Sequence, residues 1–185
     1  MIHAALLLID VQKGFDDPSW GNRNNPEAEQ HIALLLAGWR RKSLPIIHIQ
    51  HRSTEPTSTL RPDQPGFEFK DEATPLNGEK QFTKAVNSAF IGTGLEKYLR
   101  THNIQSLVIV GLTTDHCVST TTRMAGNLGF DVILVSDATA MFDRAGQDGV
   151  RYTASDIHLA SLNGEFCDVR STAQVMNALG VQDPR

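Results

Sequence analysis

The chain is poor in cysteine, in long apolar runs and in concentrated charge. Only two of its 185 residues are cysteine, Cys117 and Cys167. Two thiols cannot build the multi-bridge framework of a small secreted domain, and they suit a reducing compartment. No apolar run approaches the ~18 residues of a membrane span. The first strand is expected to begin almost at Met1, which leaves no room for a secretory leader. A cytoplasmic protein with no membrane partner is therefore expected. Formal net charge is −4, and the longest basic run is Arg40-Arg41-Lys42. Phosphate binding needs a denser basic footprint, so no nucleic-acid partner is expected. The triplet ends a predicted helix, where the helix dipole favours cations. Repeats, low-complexity tracts and linkers are also lacking, and the length suits one domain over residues 1–185.

What is there is an alternation of apolar strand-length runs with segments of helical period. Ala4-Ala5-Leu6-Leu7-Leu8-Ile9 is unbroken, as in a strand buried on both faces. Across residues 26–42, Ala28, Ile32, Leu35, Leu36 and Trp39 form one helical stripe. Residues 45–50 read as a second strand, and Gln81 to Thr83 as the end of a third. Thr93 with Glu96 reads as a capping box opening a helix to Arg100. Residues 107–111 and 131–136 are further strands. A helix over 116–128 lies between them and stops at Gly129. Another helix ends at Leu162, a last strand covers 166–169, and a closing helix covers 173–179. This rhythm predicts an α/β fold, a parallel sheet with helices on both faces. The exception is 51–80, with four prolines and no clear period. A loop that long is expected to act as a lid or pocket wall.

Open parallel sheets carry their sites outside the carboxyl ends of the strands. Asp10, His51, Lys84 and Cys117 all fall there. Asp115 reads as an N-cap, which puts Cys117 in a first helical turn. Unpaired N–H groups and the dipole would there lower its pKa and favour the thiolate. Position alone also allows a buried structural thiol. Cys167, inside a strand, reads as structural. Asp10 could be a hydrogen-bonded anchor or a proton carrier. Lys84 gains weight only in their company.

Three segments carry a resemblance. They are residues 6–15 (LLLIDVQKGF), 84–90 (KAVNSAF) and 111–118 (GLTTDHCV), with 137–140 (DATA) in support. The chain resembles the isochorismatase-like cysteine hydrolases, which include nicotinamidases and N-carbamoylsarcosine amidohydrolases. The match runs from about residue 4 to residue 170. The resemblance implies a three-layer, doubly wound, six-stranded parallel sheet in order 3-2-1-4-5-6. It implies a catalytic triad of Asp10, Lys84 and Cys117, and a cis Leu112–Thr113 peptide. The N–H groups of Thr113 and Cys117 would form the oxyanion hole. It implies hydrolysis of a C–N bond in a small amide, ureido or imide substrate through a thioester. The family also implies a homo-oligomer, dimer or tetramer.

Phe15, Trp20, His51, Arg52, Phe90 and His116 are the expected substrate-binding wall. Nicotinamidases carry a metal after the second strand. Here His48 and His51 are three apart on an extended segment, so they face opposite ways. Beyond them the loop offers Asp63 and Glu68 but no further histidine before His102. This departure argues for no metal and no other cofactor. Two rival functions stay open: a vinyl-ether hydrolase of the isochorismatase type, and a non-catalytic binding module on the same fold.

Overall fold

Unbroken aliphatic runs can be satisfied only by burial on both faces, and they become the centre of the sheet. The computed structural model describes residues 4–153 and 157–180. Residues 1–3, 154–156 and 181–185 of the expected domain lie outside the described residues. In chain order the elements are β1 (Ala5–Ile9), α1 (Ala28–Arg41), β2 (Ile46–His51), β3 (Lys80–Lys84), α2 (Leu95–Thr101) and β4 (Ser106–Leu112). They continue with α3 (Ser119–Asn127), β5 (Asp131–Ala140), β6 (Arg144–Ala145), β7 (Arg151–Tyr152), α4 (Ile157–Ala160), β8 (Asp168–Arg170) and α5 (Thr172–Leu179).

Six strands pair in the order β3-β2-β1-β4-β5-β8, all parallel. This is the expected 3-2-1-4-5-6 order. The sixth sheet strand is the eighth in the chain because an unforeseen antiparallel hairpin, β6–β7, intervenes. Strand order reverses between β1 and β4, so a crevice opens at their carboxyl ends.

The two-residue alternation of the strands splits the core in two. Leu7, Ile9, Ile47, Ile49, Leu107 and Ile109 pack with Leu95 and Leu99 of α2 and Ala125 of α3. Leu6, Leu8, Ile46, Val108 and Val110 pack with Ile32, Leu35, Leu36 and Trp39 of α1 and with α5. Helices therefore cover both faces. Among the described residues no helix is long and apolar enough to cross a membrane.

Several boundaries differ from the reading of the sequence. No capping box forms at Thr93: its hydroxyl donates to the Ala89 carbonyl at 2.6 Å, and α2 starts after Gly94. Glu96 pairs instead with Arg100, at 2.9 Å. The expected helix over 116–128 is a π-helical turn, Thr114–Val118, running into α3. β5 runs past residue 136 to Ala140. Its register shifts opposite Ile109 and Gly111, after which Thr139 and Ala140 pair with Gly111 and Leu112. Gly111 has φ 125°, and a Cβ there would lie 2.0 Å from the Ile9 carbonyl oxygen. Only glycine allows β1 and β4 to run this close just before Leu112.

The 51–80 segment is tied down rather than loose. Gln50 Nε2 donates to Phe67 O at 2.8 Å, Lys70 N donates to Val11 O at 3.0 Å, and Ser53 N donates to Leu60 O at 3.1 Å. Glu79 near its end accepts from Arg40 of α1 at 2.7 Å and meets the buried His48 ring at 2.8 Å. The segment therefore walls the carboxyl end of β1.

Candidate active site

Asp10 is the residue just past β1, where the chain leaves the sheet. Its φ is 51°, a left-handed conformation that aspartate tolerates better than most residues. Its own N–H still bonds Ile49 O at 3.0 Å, so the carboxylate is fixed against the sheet. The side chain is fully buried. Oδ2 accepts from Lys84 Nζ at 2.6 Å, whereas Oδ1 is buried with no hydrogen-bond partner. Burial pushes the Asp10 pKa up, against the opposing pull of the Lys84 ammonium.

Lys84 closes β3, and its Cα pairs with that of His51 at the end of β2. An ammonium has three N–H bonds, and each has an acceptor here. They are Asp10 Oδ2 at 2.6 Å, His51 Nδ1 at 3.0 Å and Cys117 Sγ at 3.2 Å. The ammonium is fully buried. Since Nδ1 of His51 accepts, its proton sits on Nε2. Burial and the neighbouring ammonium push the His51 pKa down to about 4, so the ring is neutral near pH 7.

Cys117 lies in the π-helical turn that follows β4. The turn begins at the cis Leu112–Thr113 peptide and is closed by Val118 N donating to Thr113 O at 3.2 Å. Asp115 does not cap it. That carboxylate accepts from Arg144 Nε of β6 at 2.7 Å, so the charge expected at the helix start is spent on the hairpin. The expected lowering of the Cys117 pKa is reversed as well. Burial, then the Asp10 charge, push the thiol up to about 12. A thiol with that pKa is almost wholly protonated at neutral pH and needs a base beside it. Cys167 is pushed up to about 11, chiefly by burial. It lines a cavity of about 820 Å³ with Ser106, Phe130 and Asp131, at the amino ends of β4 and β5 and so away from this chemistry.

Gln12 and Asn87, which lie inside the 6–15 and 84–90 segments, join this group. Gln12 is buried and grips His51 from both sides: Oε1 accepts from His51 N at 2.8 Å and Nε2 donates to His51 O at 3.1 Å. Asn87 Oδ1 accepts from Cys117 Sγ at 3.7 Å. The buried Thr121 of α3 accepts from Ala89 N at 3.0 Å, which docks the 84–90 segment beside the turn that carries Cys117. No spacing in the sequence links these pairs.

The expected wall is only partly assembled. Phe15 is buried against Trp20, at 5.1 Å between ring centroids, and Phe142, at 6.2 Å, which also meet each other at 5.3 Å. With Leu60, Leu112 and Ala140 these rings back the site. Phe90 does not join them. It stacks on Phe130 at 5.9 Å and belongs to the core, where burial removes its apolar ring from water. Arg52 is exposed beside His51, and its side chain has no partner among the described residues. His116 is exposed and lies 3.4 Å from Arg144.

The ligand atoms of Asp10, His51 and Cys117 lie within 4.8 Å of one another, a spacing that could hold a metal ion. The Lys84 ammonium already bonds all three, so the cation position in their midst is filled by the protein itself. His48 faces away from His51, buried against Glu79. Asp63 and Glu68 are spent on Arg61 and Lys13. These donors do not fit a resident metal.

The isochorismatase domain model matches residues 4–174. Isochorismatase family protein YrdC of Bacillus subtilis (strain 168) is 50% identical over 94% of each chain. A crystal structure of a protein assigned to the isochorismatase-family hydrolases, from Chromobacterium violaceum ATCC 12472, superposes with a TM-score of 0.91. Its identity is 51%, over 96% of this chain and 93% of that one. N-carbamoylsarcosine amidase of an Arthrobacter species is 33% identical over 67% of this chain and 44% of its own length.

Proposed function

The chain belongs to the isochorismatase family of hydrolases, and from that premise we propose that it cleaves the C–N bond of a small amide, ureido or imide substrate with Cys117 as nucleophile. One observation carries this reading. The buried Lys84 ammonium bonds both the Asp10 carboxylate and the Cys117 sulfur, and the second Asp10 oxygen is left without a partner. The similarity to an amidase adds support for a C–N bond.

The steps follow from the charges. Asp10 takes the thiol proton, and the thiolate forms beside the Lys84 ammonium. It attacks the substrate carbonyl carbon. The N–H groups of Thr113 and Cys117 receive the oxyanion, a donor of this kind being worth about 3 kcal/mol of barrier. Asp10 then gives the proton to the leaving nitrogen, the C–N bond breaks, and an amine departs from a Cys117 thioester. Water attacks the thioester and loses its proton to Asp10. The acid departs, and the proton returns to the Cys117 sulfur. Net, one water is consumed, and an acid and an amine are released.

The Asp10 pKa, raised by burial, suits this traffic. A carboxylate held far below its ordinary range would be too weak a base to take a thiol proton. Trp20, Arg52 and His116 are the side chains proposed to meet the rest of the substrate. Screening purified protein against small amides, ureides and vinyl ethers, with Cys117→Ala alongside, tests the reading. The expected result is turnover of an amide or ureide that vanishes in the variant. Turnover confined to vinyl ethers, or retained in Cys117→Ala, would overturn it.

A further inference from the structure

We infer that His51 is a positioning residue for Lys84, acting through its Nδ1 lone pair to hold the ammonium between Asp10 and Cys117. The inference deepens the reading above and rests on it.

Three observations carry it. First, the contact is built in: His51 and Lys84 are Cα partners in the parallel pairing of β2 and β3, and Lys84 Nζ meets Nδ1 at 3.0 Å. Second, His51 is itself locked. Gln12, fully buried, bonds both the N–H and the C=O of His51, and also donates to Phe67 O at 2.9 Å. A side chain held only to touch substrate would not require the backbone pinned at both groups. Third, the lysine's hydrogen-bonding count closes only with His51. Asp10 and Cys117 use two N–H bonds and His51 takes the third. Without it, a fully buried ammonium has an unsatisfied donor, a costly state that is relieved by swinging away from one of its partners.

A neutral acceptor is the right choice for that third place. A carboxylate there would compete with Cys117 for the ammonium and add a second negative charge beside the thiolate. An imidazole with its proton on Nε2 accepts without adding charge. The same tautomer leaves an N–H on the far side of the ring.

The two imidazole nitrogens can be tested apart, because asparagine places its Oδ1 near the Nδ1 position and glutamine places its Oε1 near Nε2. The readout is the rate of Cys117 alkylation by iodoacetamide across pH, followed by peptide mass. It needs no substrate and reads the thiol directly. Lys84→Met is the reference and should slow alkylation of Cys117 on the order of tenfold, because a cation beside a thiol lowers its pKa. His51→Ala and His51→Gln should be slowed by about the same factor and shift the profile to higher pH, whereas His51→Asn should stay within about threefold of the parent. The comparison of Asn with Gln stands even if the alanine variant fails to fold. Alkylation at the parent rate in His51→Gln, or rescue by Gln and not by Asn, overturns the inference while a slow Lys84→Met keeps the triad. A Lys84→Met variant that alkylates like the parent overturns both.

Discussion

Two lysines are buried near the carboxyl end of β1, and they keep opposite company. Lys70, 5% exposed, meets Asp16 and, at 2.8 Å, Glu29. Both oxygens of Glu29 are also bonded to Arg23, at 2.8 Å each. Despite burial, these cations hold the Glu29 pKa down at about 2. Lys84, 2% exposed, meets one oxygen of Asp10, no cation reaches the other, and burial pushes the Asp10 pKa up. A buried lysine beside a carboxylate thus goes with a strongly acidic Glu29 in one place and a weakened acid, Asp10, in the other. What separates them is saturation: cations reach both oxygens of Glu29, and charge-assisted hydrogen bonds to each lower its affinity for a proton.

The contrast can be broken from either side. Asp10→Asn should cut turnover by about 10³-fold, within the usual range for a general acid–base group, while the protein remains folded by circular dichroism. Near-parental turnover would remove Asp10 from the chemistry. Glu29→Gln should do the reverse. Denaturant unfolding should show a loss of ~3 kcal/mol, since Lys70 and Arg23 then lack a full counter-charge in a largely buried place. The rate on a substrate found by the screen should be unchanged within about twofold. Equal effects of the two variants on rate and stability would erase the distinction.

The pH dependence separates the two regions again. Glu29 and Glu79 are both held at about 2 when folded, below the 4.5 of an ordinary glutamate. A depressed carboxylate stabilises the fold above its unfolded pKa and gives that stability up as pH falls through the folded one. The melting temperature should therefore fall between about pH 4.5 and pH 2, and more gently in Glu29→Gln. As pH falls, turnover should fail before the fold does, because Asp10 takes up its proton above the ordinary 3.8 of an aspartate. A rate that holds until the fold itself melts would contradict this. The smallest effect expected is at Phe90. Phe90→Leu should lower stability by about 1 kcal/mol and leave KM unchanged, as befits a core ring rather than a pocket wall.

Much of the scaffold was legible because it rests on local signals. The unbroken run before Asp10 and the stripe from Ala28 to Trp39 give β1 and α1 directly, and the three motif segments give Asp10, Lys84 and Cys117. The rest depends on partners distant in sequence. The π-helical turn has no apolar period to announce it, and Asp115 reads as a cap until Arg144, 29 residues on, is seen to claim it. The β6–β7 hairpin is two residues per strand, too short for any alternation. The reversed pKa of Cys117 was hidden for the same reason. A helix start is visible in sequence, whereas burial beside a carboxylate is a product of the fold. Residue 51 could be placed at a strand end, but its contact with Lys84 is set by the β2–β3 register.

The proposed proton transfers turn on the Asp10 carboxyl. Carboxyl-carbon NMR titration of the substrate-free protein, with Asp10→Asn and Glu29→Gln to assign the signals, reads it directly. The Asp10 carboxyl is expected to titrate above 3.8, and that of Glu29 at about 2. An Asp10 signal still ionised at pH values where Glu29 has begun to protonate would contradict it, and would make both carboxylates anchors.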